Sequence, residues 1–239
     1  IVEDDVRRAA AAGPAAAPVG GAVAAGEALS APRRLLADRL RTWLGATAQF
    51  TLSSEIDVTE LAAARAPWTS AVVRACALAL RAHPRLATRW RGDRLVAAAE
   101  FDIGVMVALD DGLVVPVVKA ADTKDVATIA AEIAALARRA REGTLQREEV
   151  TGAVFAVTSL GAYPVDVFTP LVYQPNTAIL GVGRAGLRPA VVDGRIEART
   201  LLTLSLTVDH QVIDGVPAAA FLADVGALLT EPDRLAPPG

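Results

Sequence analysis

The residues of this chain with the clearest catalytic potential lie in one short stretch, LTVDHQVIDG, at positions 206–215. It places His210, one of only two histidines in the chain, between Asp209 and Asp214. The pKa of an imidazole lies close to neutral pH, so a histidine presented at the end of a strand can serve as a general base. The alternative is a histidine that only satisfies hydrogen bonds at a strand end. The other histidine, His83, stands at a predicted helix end, and we interpret it as structural.

The chain offers little for thiol or metal chemistry. A single cysteine, Cys76, excludes an internal disulfide and leaves too few thiols for a zinc site, so no metal is predicted. Because Cys76 lies in the apolar run VVRACALAL, we interpret it as a small buried residue and not as a nucleophile. Such cysteine usage is typical of a reducing, cytoplasmic setting.

Charge and hydropathy exclude two classes of partner. The net charge of −3 gives the chain as a whole no bias toward nucleic acid. The uncharged stretch at residues 9–26 is mostly alanine and is interrupted by proline and glycine, which excludes a membrane span or a secretion signal. The hydrophobic fraction of 53% is enough for a sizeable core.

The candidate base must be positioned by elements that begin at about residue 30. Ser30 offers a helix start, and Gly45 is the expected C-cap of that helix. The alternating segment AQFTLSSEIDV predicts a strand, and a more apolar helix then ends near Pro84. Two strands flank the turn LDDGL with its Gly112, and Pro116 indicates that the second of them is an edge or irregular strand.

The second half of the chain alternates the same two kinds of element. A long alanine-rich helix, DVATIAAEIAALARRAREGTL, precedes strands in GAVFAVTSL, TAILGVGR, the hairpin AVVDGRIEA and LLTLSLTVDH, and PAAAFLADVGALLTEP forms the last helix. Mixed hairpins and crossover helices predict an α/β (α+β) two-layer sandwich, in which a mixed β-sheet packs against helices.

The heptad DHQVIDG resembles the D-H-x-x-x-D-G signature of the 2-oxoacid dehydrogenase acyltransferases, whose E2 catalytic domain shares its fold with chloramphenicol acetyltransferase. Other segments resemble the family in the same order, among them SAPRRLLADRL, FTLSSEIDVTEL, FDIGVMVALDDGLVVPVVKAAD and GAVFAVTSLGAYPVDVFTPLVYQPNTAILGVGR. The resemblance implies a chloramphenicol acetyltransferase-like catalytic domain over residues 30–239.

The resemblance also implies an organisation for the N-terminus. Residues 1–12 are similar to the end of the peripheral-subunit-binding domain that precedes the catalytic domain in many E2 chains, and residues 13–29 are expected to be a flexible Ala/Pro/Gly linker. No lysine precedes Lys119, so no lipoyl-bearing domain is expected in that part of the sequence.

The resemblance implies a role for each candidate site residue. His210 would take the proton of the acceptor as it attacks a thioester, so no acyl-enzyme is needed. Thr158 would donate to the oxyanion of the tetrahedral intermediate, with Ser159 supporting it.

The resemblance also implies residues that shape the loop around His210. Asp214 would pair with Arg34 or Arg39 of the opening helix, a partly buried pair whose loss from one side would cost roughly 3–5 kcal/mol. Asp209 and Gly215 would serve loop geometry.

The family implies a homotrimer or a larger homo-oligomer, with His210 facing Thr158 of the neighbouring subunit. Coenzyme A or acetyl-CoA and a lipoyl group on a partner domain would enter from two sides, and GLVVPVVKAAD would help line the subunit interface. The weakly apolar end RLAPPG favours a free trimer over a large cage.

Several departures from the family pattern concern the acceptor, namely Thr88, Tyr163-Pro164 and Gln211. They leave two activities open. The chain is either the catalytic core of an E2 that moves an acyl group between coenzyme A and dihydrolipoamide, or a stand-alone acetyl-CoA-dependent O-acetyltransferase acting on a small hydroxyl compound in a biosynthetic pathway. A third possibility is an inactive scaffold, and the presence of the predicted catalytic residues His210, Thr158 and Asp214 argues against it.

Overall fold

The computed structural model describes residues 26, 28–109 and 112–236. The predicted binding-domain remnant and most of the linker therefore lie outside the described residues. The strands are β1 (Gln49–Asp57), β2 (Thr88–Arg91), β3 (Arg94–Ala97), β4 (Ile103–Val105), β5 (Val107–Leu109), β6 (Gly112–Val114), β7 (Val117–Val118), β8 (Phe155–Ser159), β9 (Ala178–Val182), β10 (Gly186–Val192) and β11 (Arg195–Asp209). The α-helices are α1 (Ala31–Ala46), α2 (Thr59–Ala63), α3 (Trp68–Leu80), α4 (Val126–Glu142) and α5 (Gly215–Thr230).

Seven of these strands form the main sheet, in the order β1-β11-β9-β8-β4-β7 with β10 paired to β11. The pairs β4–β8 and β8–β9 are parallel, and the other pairs of the sheet are antiparallel. This mixed sheet packed with helices confirms the predicted fold class. The short β7 lies at the edge of the sheet directly after Pro116, as the proline indicated.

The central strand β11 is longer than predicted. Its 15 residues run without a break from the hairpin turn to Asp209, so the two strands predicted in AVVDGRIEA and LLTLSLTVDH share one continuous element. Asp193 and Gly194 both have positive φ, at 50° and 77°, which fits the type I′ turn that joins β10 to β11.

Alternation along β11 separates an apolar face from a polar face. Leu204, Leu206 and Val208 are buried in the core together with residues of α3 and α5. Ser205 and Thr207 point to the opposite face, where their hydroxyls lie within hydrogen-bond distance of hydroxyls on β1. The core therefore sits between one face of the sheet and the helices.

A charged residue lies inside the helix that the sequence marks as apolar. Arg74 of α3 is fully buried, and its guanidinium donates to the backbone carbonyls of Leu235, Ala121, Asp122 and Ala236. Desolvation by burial lowers the pKa of Arg74. The side chain thus ties the last described turn of the chain to α3.

The opening helix α1 begins as predicted but ends differently. Ser30 caps its N-terminus by accepting a hydrogen bond from the Arg33 backbone N–H at 3.3 Å. The expected C-cap at Gly45 is wrong, because the helix continues through Ala46 and Thr47 is the C-cap. None of the helices in the described ranges is both long and apolar enough to cross a membrane.

Candidate active site

His210 is presented at the end of β11, as predicted. Its backbone N–H donates to the Ala48 carbonyl at 2.8 Å, and its ring packs on Phe50 with 4.5 Å between the ring centres. The side chain is 51% exposed, and Nδ1 lies 3.5 Å from Oδ1 of Asp214. No described residue hydrogen bonds to Nε2, so this nitrogen can accept a proton from a bound substrate.

Asp214 has a different environment from the one expected. Its side chain is 83% exposed, and its ion pair is with His210. Among the described residues no ion pair joins it to Arg34 or Arg39, and the Arg34 guanidinium instead donates to the Leu29 carbonyl. Within one protomer the predicted arginine pairing is therefore not formed, and Asp214 stands on the surface at the N-terminus of α5.

Gly215 is the first residue of α5. It has no positive φ, and a Cβ added there would meet no atom within 4 Å. The loop geometry of the protomer therefore does not require glycine at this position.

Asp209 is buried completely, one residue before the candidate base. Oδ1 accepts from the backbone N–H groups of Ala48 at 3.2 Å and Gln211 at 3.1 Å, and Oδ2 accepts from the indole Nε1 of Trp90 at 3.2 Å. These contacts tie the turn after β11 to the segment before β1 and to β2. The part of Trp90 was missed, since no sequence pattern links two residues 119 positions apart.

Thr158 and Ser159 lie at the end of β8, on the other side of β9 from β11. Thr158 pairs with Gly181, and Gly181 pairs with Ser205, five residues before His210. At about 3.3 Å per residue and about 4.8 Å between strands, Thr158 is about 16 Å along and about 10 Å across the sheet from His210. The two side chains cannot meet within one protomer.

The loop that follows Ser159 is held against the sheet. A Cβ on Gly183 would lie 2.0 Å from the Asp166 carbonyl oxygen, so only glycine allows this approach. The Asp166 carboxylate pairs with Arg184 and Arg188, and Arg188 reaches on to Glu55 of β1. These contacts fix the chain that follows the candidate oxyanion donor.

The remaining candidates agree with structural roles. His83 Nε2 lies 2.7 Å from Oδ2 of Asp224, and its ring meets Phe221 edge-on. Cys76 is fully buried, and burial raises the pKa of its thiol far above the usual range. The described ranges contain no group of three or more histidine, cysteine, aspartate or glutamate side chains that could hold a metal ion.

A family model and curated proteins are similar to most of this chain. The family model described as 2-oxoacid dehydrogenases acyltransferase (catalytic domain) matches residues 24–236. The dihydrolipoyllysine-residue acetyltransferase component of the acetoin cleaving system of Bacillus subtilis (strain 168) is 37% identical over 217 residues, which cover 85% of this chain and 54% of that protein.

Solved structures with a similar fold include acetyltransferases. Dihydrolipoamide acetyltransferase of Azotobacter vinelandii superposes with a TM-score of 0.84 at 31% identity, over 90% of this chain and 94% of that one. Chloramphenicol acetyltransferase superposes with a TM-score of 0.56 at 17% identity, over 82% of this chain and 94% of that one, which shows a shared fold.

Proposed function

Since the chain belongs to the family of 2-oxoacid dehydrogenase acyltransferase catalytic domains, we propose that it moves an acyl group between a coenzyme A thioester and the thiol of a dihydrolipoyl group. The observation that supports this most strongly is the His210 ring at the end of β11, which packs on Phe50 and lies beside Asp214, while no described residue hydrogen bonds to its Nε2. The chain spans about half the length of the curated relatives it matches.

The chemistry uses one base and no covalent enzyme intermediate. His210 Nε2 takes the proton of the attacking thiol while the sulfur bonds to the thioester carbonyl carbon. The Asp214 carboxylate favours the proton on Nδ1, which leaves the Nε2 lone pair for this step. When the tetrahedral intermediate collapses, the carbon–sulfur bond to the leaving thiolate breaks and the imidazolium returns the proton to that sulfur.

The oxyanion donor is proposed to come from a second copy of the chain. Thr158 is too far from His210 in one protomer, so a site that uses both residues has to combine two subunits. Apolar side chains that are exposed on the protomer support such assembly. They include Leu35 and Leu44 on α1 and Leu187, Val191 and Ile196 on the β10–β11 hairpin. We therefore propose a homotrimer or a larger homo-oligomer as the active form.

The proposal is tested by offering the purified chain acetyl-CoA with dihydrolipoamide, or with a panel of small alcohols. We expect acetyl transfer to the dithiol, and a loss of about a hundredfold or more in kcat for His210→Ala. His83→Ala is the matched control and should keep its activity. Transfer to an alcohol alone, or equal rates for wild type and His210→Ala, would contradict the proposed function.

A further inference from the structure

The carboxylate of Asp209 joins three separate segments of the chain at one buried point. Its donors are Ala48 before β1, Gln211 in the turn after β11, and the Trp90 indole of β2. Within the described ranges no lysine, arginine or histidine forms an ion pair with this carboxylate. Its charge is therefore stabilised by N–H donors alone, and losing any one of them leaves a buried oxygen short of a partner.

This point of contact is also where the candidate base is held. Ala48 donates its N–H to Asp209 and accepts the His210 N–H at its own carbonyl, 2.8 Å away. Two residues further on, Phe50 packs on the imidazole ring. The backbone and the ring of His210 thus both depend on the segment that Asp209 fixes in place.

Trp90 supplies the only hydrogen bond to Oδ2 of Asp209 within the described residues. The indole is itself placed by β2, since the Trp90 backbone N–H donates to the Pro175 carbonyl at 2.8 Å. Asp209 cannot reach the reacting atoms in place of the imidazole, because it is completely buried and its oxygens are occupied.

We propose that Trp90 and Asp209 are positioning residues for acyl transfer, which hold the His210 imidazole in its reactive orientation without touching the substrates. This inference rests on the proposed function. Asp209 would then position the base as well as stabilise the fold. Trp90 would position the base although it lies in a two-stranded ribbon away from the main sheet.

The first test is Trp90→Phe, which removes the N–H donor and keeps an aromatic ring. Losing one hydrogen bond to a charged group should lower kcat about tenfold, while KM for acetyl-CoA and for dihydrolipoamide should stay within about twofold. The melting temperature should fall by about 3–10 °C, because the buried Oδ2 of Asp209 loses its only donor among the described residues. Trp68→Phe is the matched control, because Trp68 also packs partly buried against the core but forms no hydrogen bond with Asp209 and no ring contact with His210. An unchanged kcat in Trp90→Phe would overturn the inference, as would a loss equal to that of Trp68→Phe.

A second readout does not depend on activity. The chain has two histidines, so ¹³C-labelled imidazole groups give two sets of NMR signals, and His83 is an internal reference. We expect the His210 signals to broaden or split in Trp90→Phe and to stay sharp in Trp68→Phe, with those of His83 unchanged in both. A sharp, single His210 signal in Trp90→Phe would overturn the inference. Failure of the wild-type protein to transfer any acyl group would instead overturn the proposed function.

A double-mutant cycle tests whether the two residues act as one unit. In Asp209→Asn the amide has to direct N–H groups at one of the donors around it, so kcat should fall by about a hundredfold. If Trp90 acts through Asp209, Asp209→Asn should lower kcat by a clearly smaller factor in the Trp90→Phe background than in the wild-type background. Losses that simply multiply would show that the two residues act separately and would contradict the proposal.

Discussion

The imidazole of His210 depends on three neighbours of different kinds. Phe50 supports its ring, Ala48 its backbone, and Asp214 faces its Nδ1. Only the last of these is charged, and it lies in solvent. An exposed ion pair contributes little to the free energy of folding. The cost of 3–5 kcal/mol expected for a partly buried pair with an arginine therefore does not apply to Asp214 in the protomer.

Asp214→Ala should accordingly separate stability from activity. We expect the free energy of unfolding to fall by less than about 1 kcal/mol, and kcat to fall at least about tenfold because Nδ1 loses the nearby carboxylate whose charge favours its proton. Urea unfolding and steady-state kinetics measure the two effects, with the exposed Asp233→Ala as control. A loss of several kcal/mol would show that Asp214 has a buried partner in the assembled protein.

At the scale of elements, the loop between β8 and β9 depends on one close backbone contact. This loop runs from the end of β8 to Ala178, and its Asp166 backbone lies directly against Gly183, the residue that follows β9. Ion pairs from Arg184 and Arg188 hold Asp166 in place, so the loop cannot easily move away from an added side chain. Steric fit at one glycine therefore governs the shape of the loop.

Gly183→Ala should distort this loop. We expect a loss of about 1–3 kcal/mol in the free energy of unfolding and a matching loss of transfer activity, since the end of β8 is displaced. Gly186→Ala is the matched control, because a Cβ at Gly186 would meet no atom within 4 Å. Equal stability of the two variants, measured by urea unfolding, would contradict the close approach at Gly183.

For the whole molecule, the separation of Thr158 from His210 has a direct consequence. If each site takes its base from one subunit and its oxyanion donor from the next, two inactive variants can complement one another. A cis arrangement would not allow this, because every protomer would then carry one defect in its only site.

We expect complementation when His210→Ala and Thr158→Ala proteins are unfolded together, mixed in equal amounts and refolded. Random assembly in a closed ring pairs an intact His210 with an intact Thr158 in about a quarter of the sites, so about a quarter of the wild-type activity should return. Each variant refolded alone gives the baseline. Mixtures that stay at this baseline, although size-exclusion chromatography shows mixed oligomers, would contradict a shared site.

Much of this architecture could be predicted from local pattern. Period-two alternation located β1, an apolar run located the second half of β11, and apolar spacing located the helices, because burial of one face repeats with the geometry of the element. The same patterns misjudged Gly45 and did not reveal that Arg74 is buried. A helix end depends on its neighbours, and a buried guanidinium depends on distant carbonyls.

The sequence by itself determined the candidate chemistry, since a histidine between two aspartates at a strand end can be recognised without coordinates. Only the tertiary structure decided which groups surround it. It showed Asp214 in solvent beside the imidazole, Trp90 bonded to Asp209, and Thr158 far away across the sheet. The Trp90–Asp209 bond joins residues 119 positions apart, and such contacts arise from the packing of the whole chain, which no local pattern records.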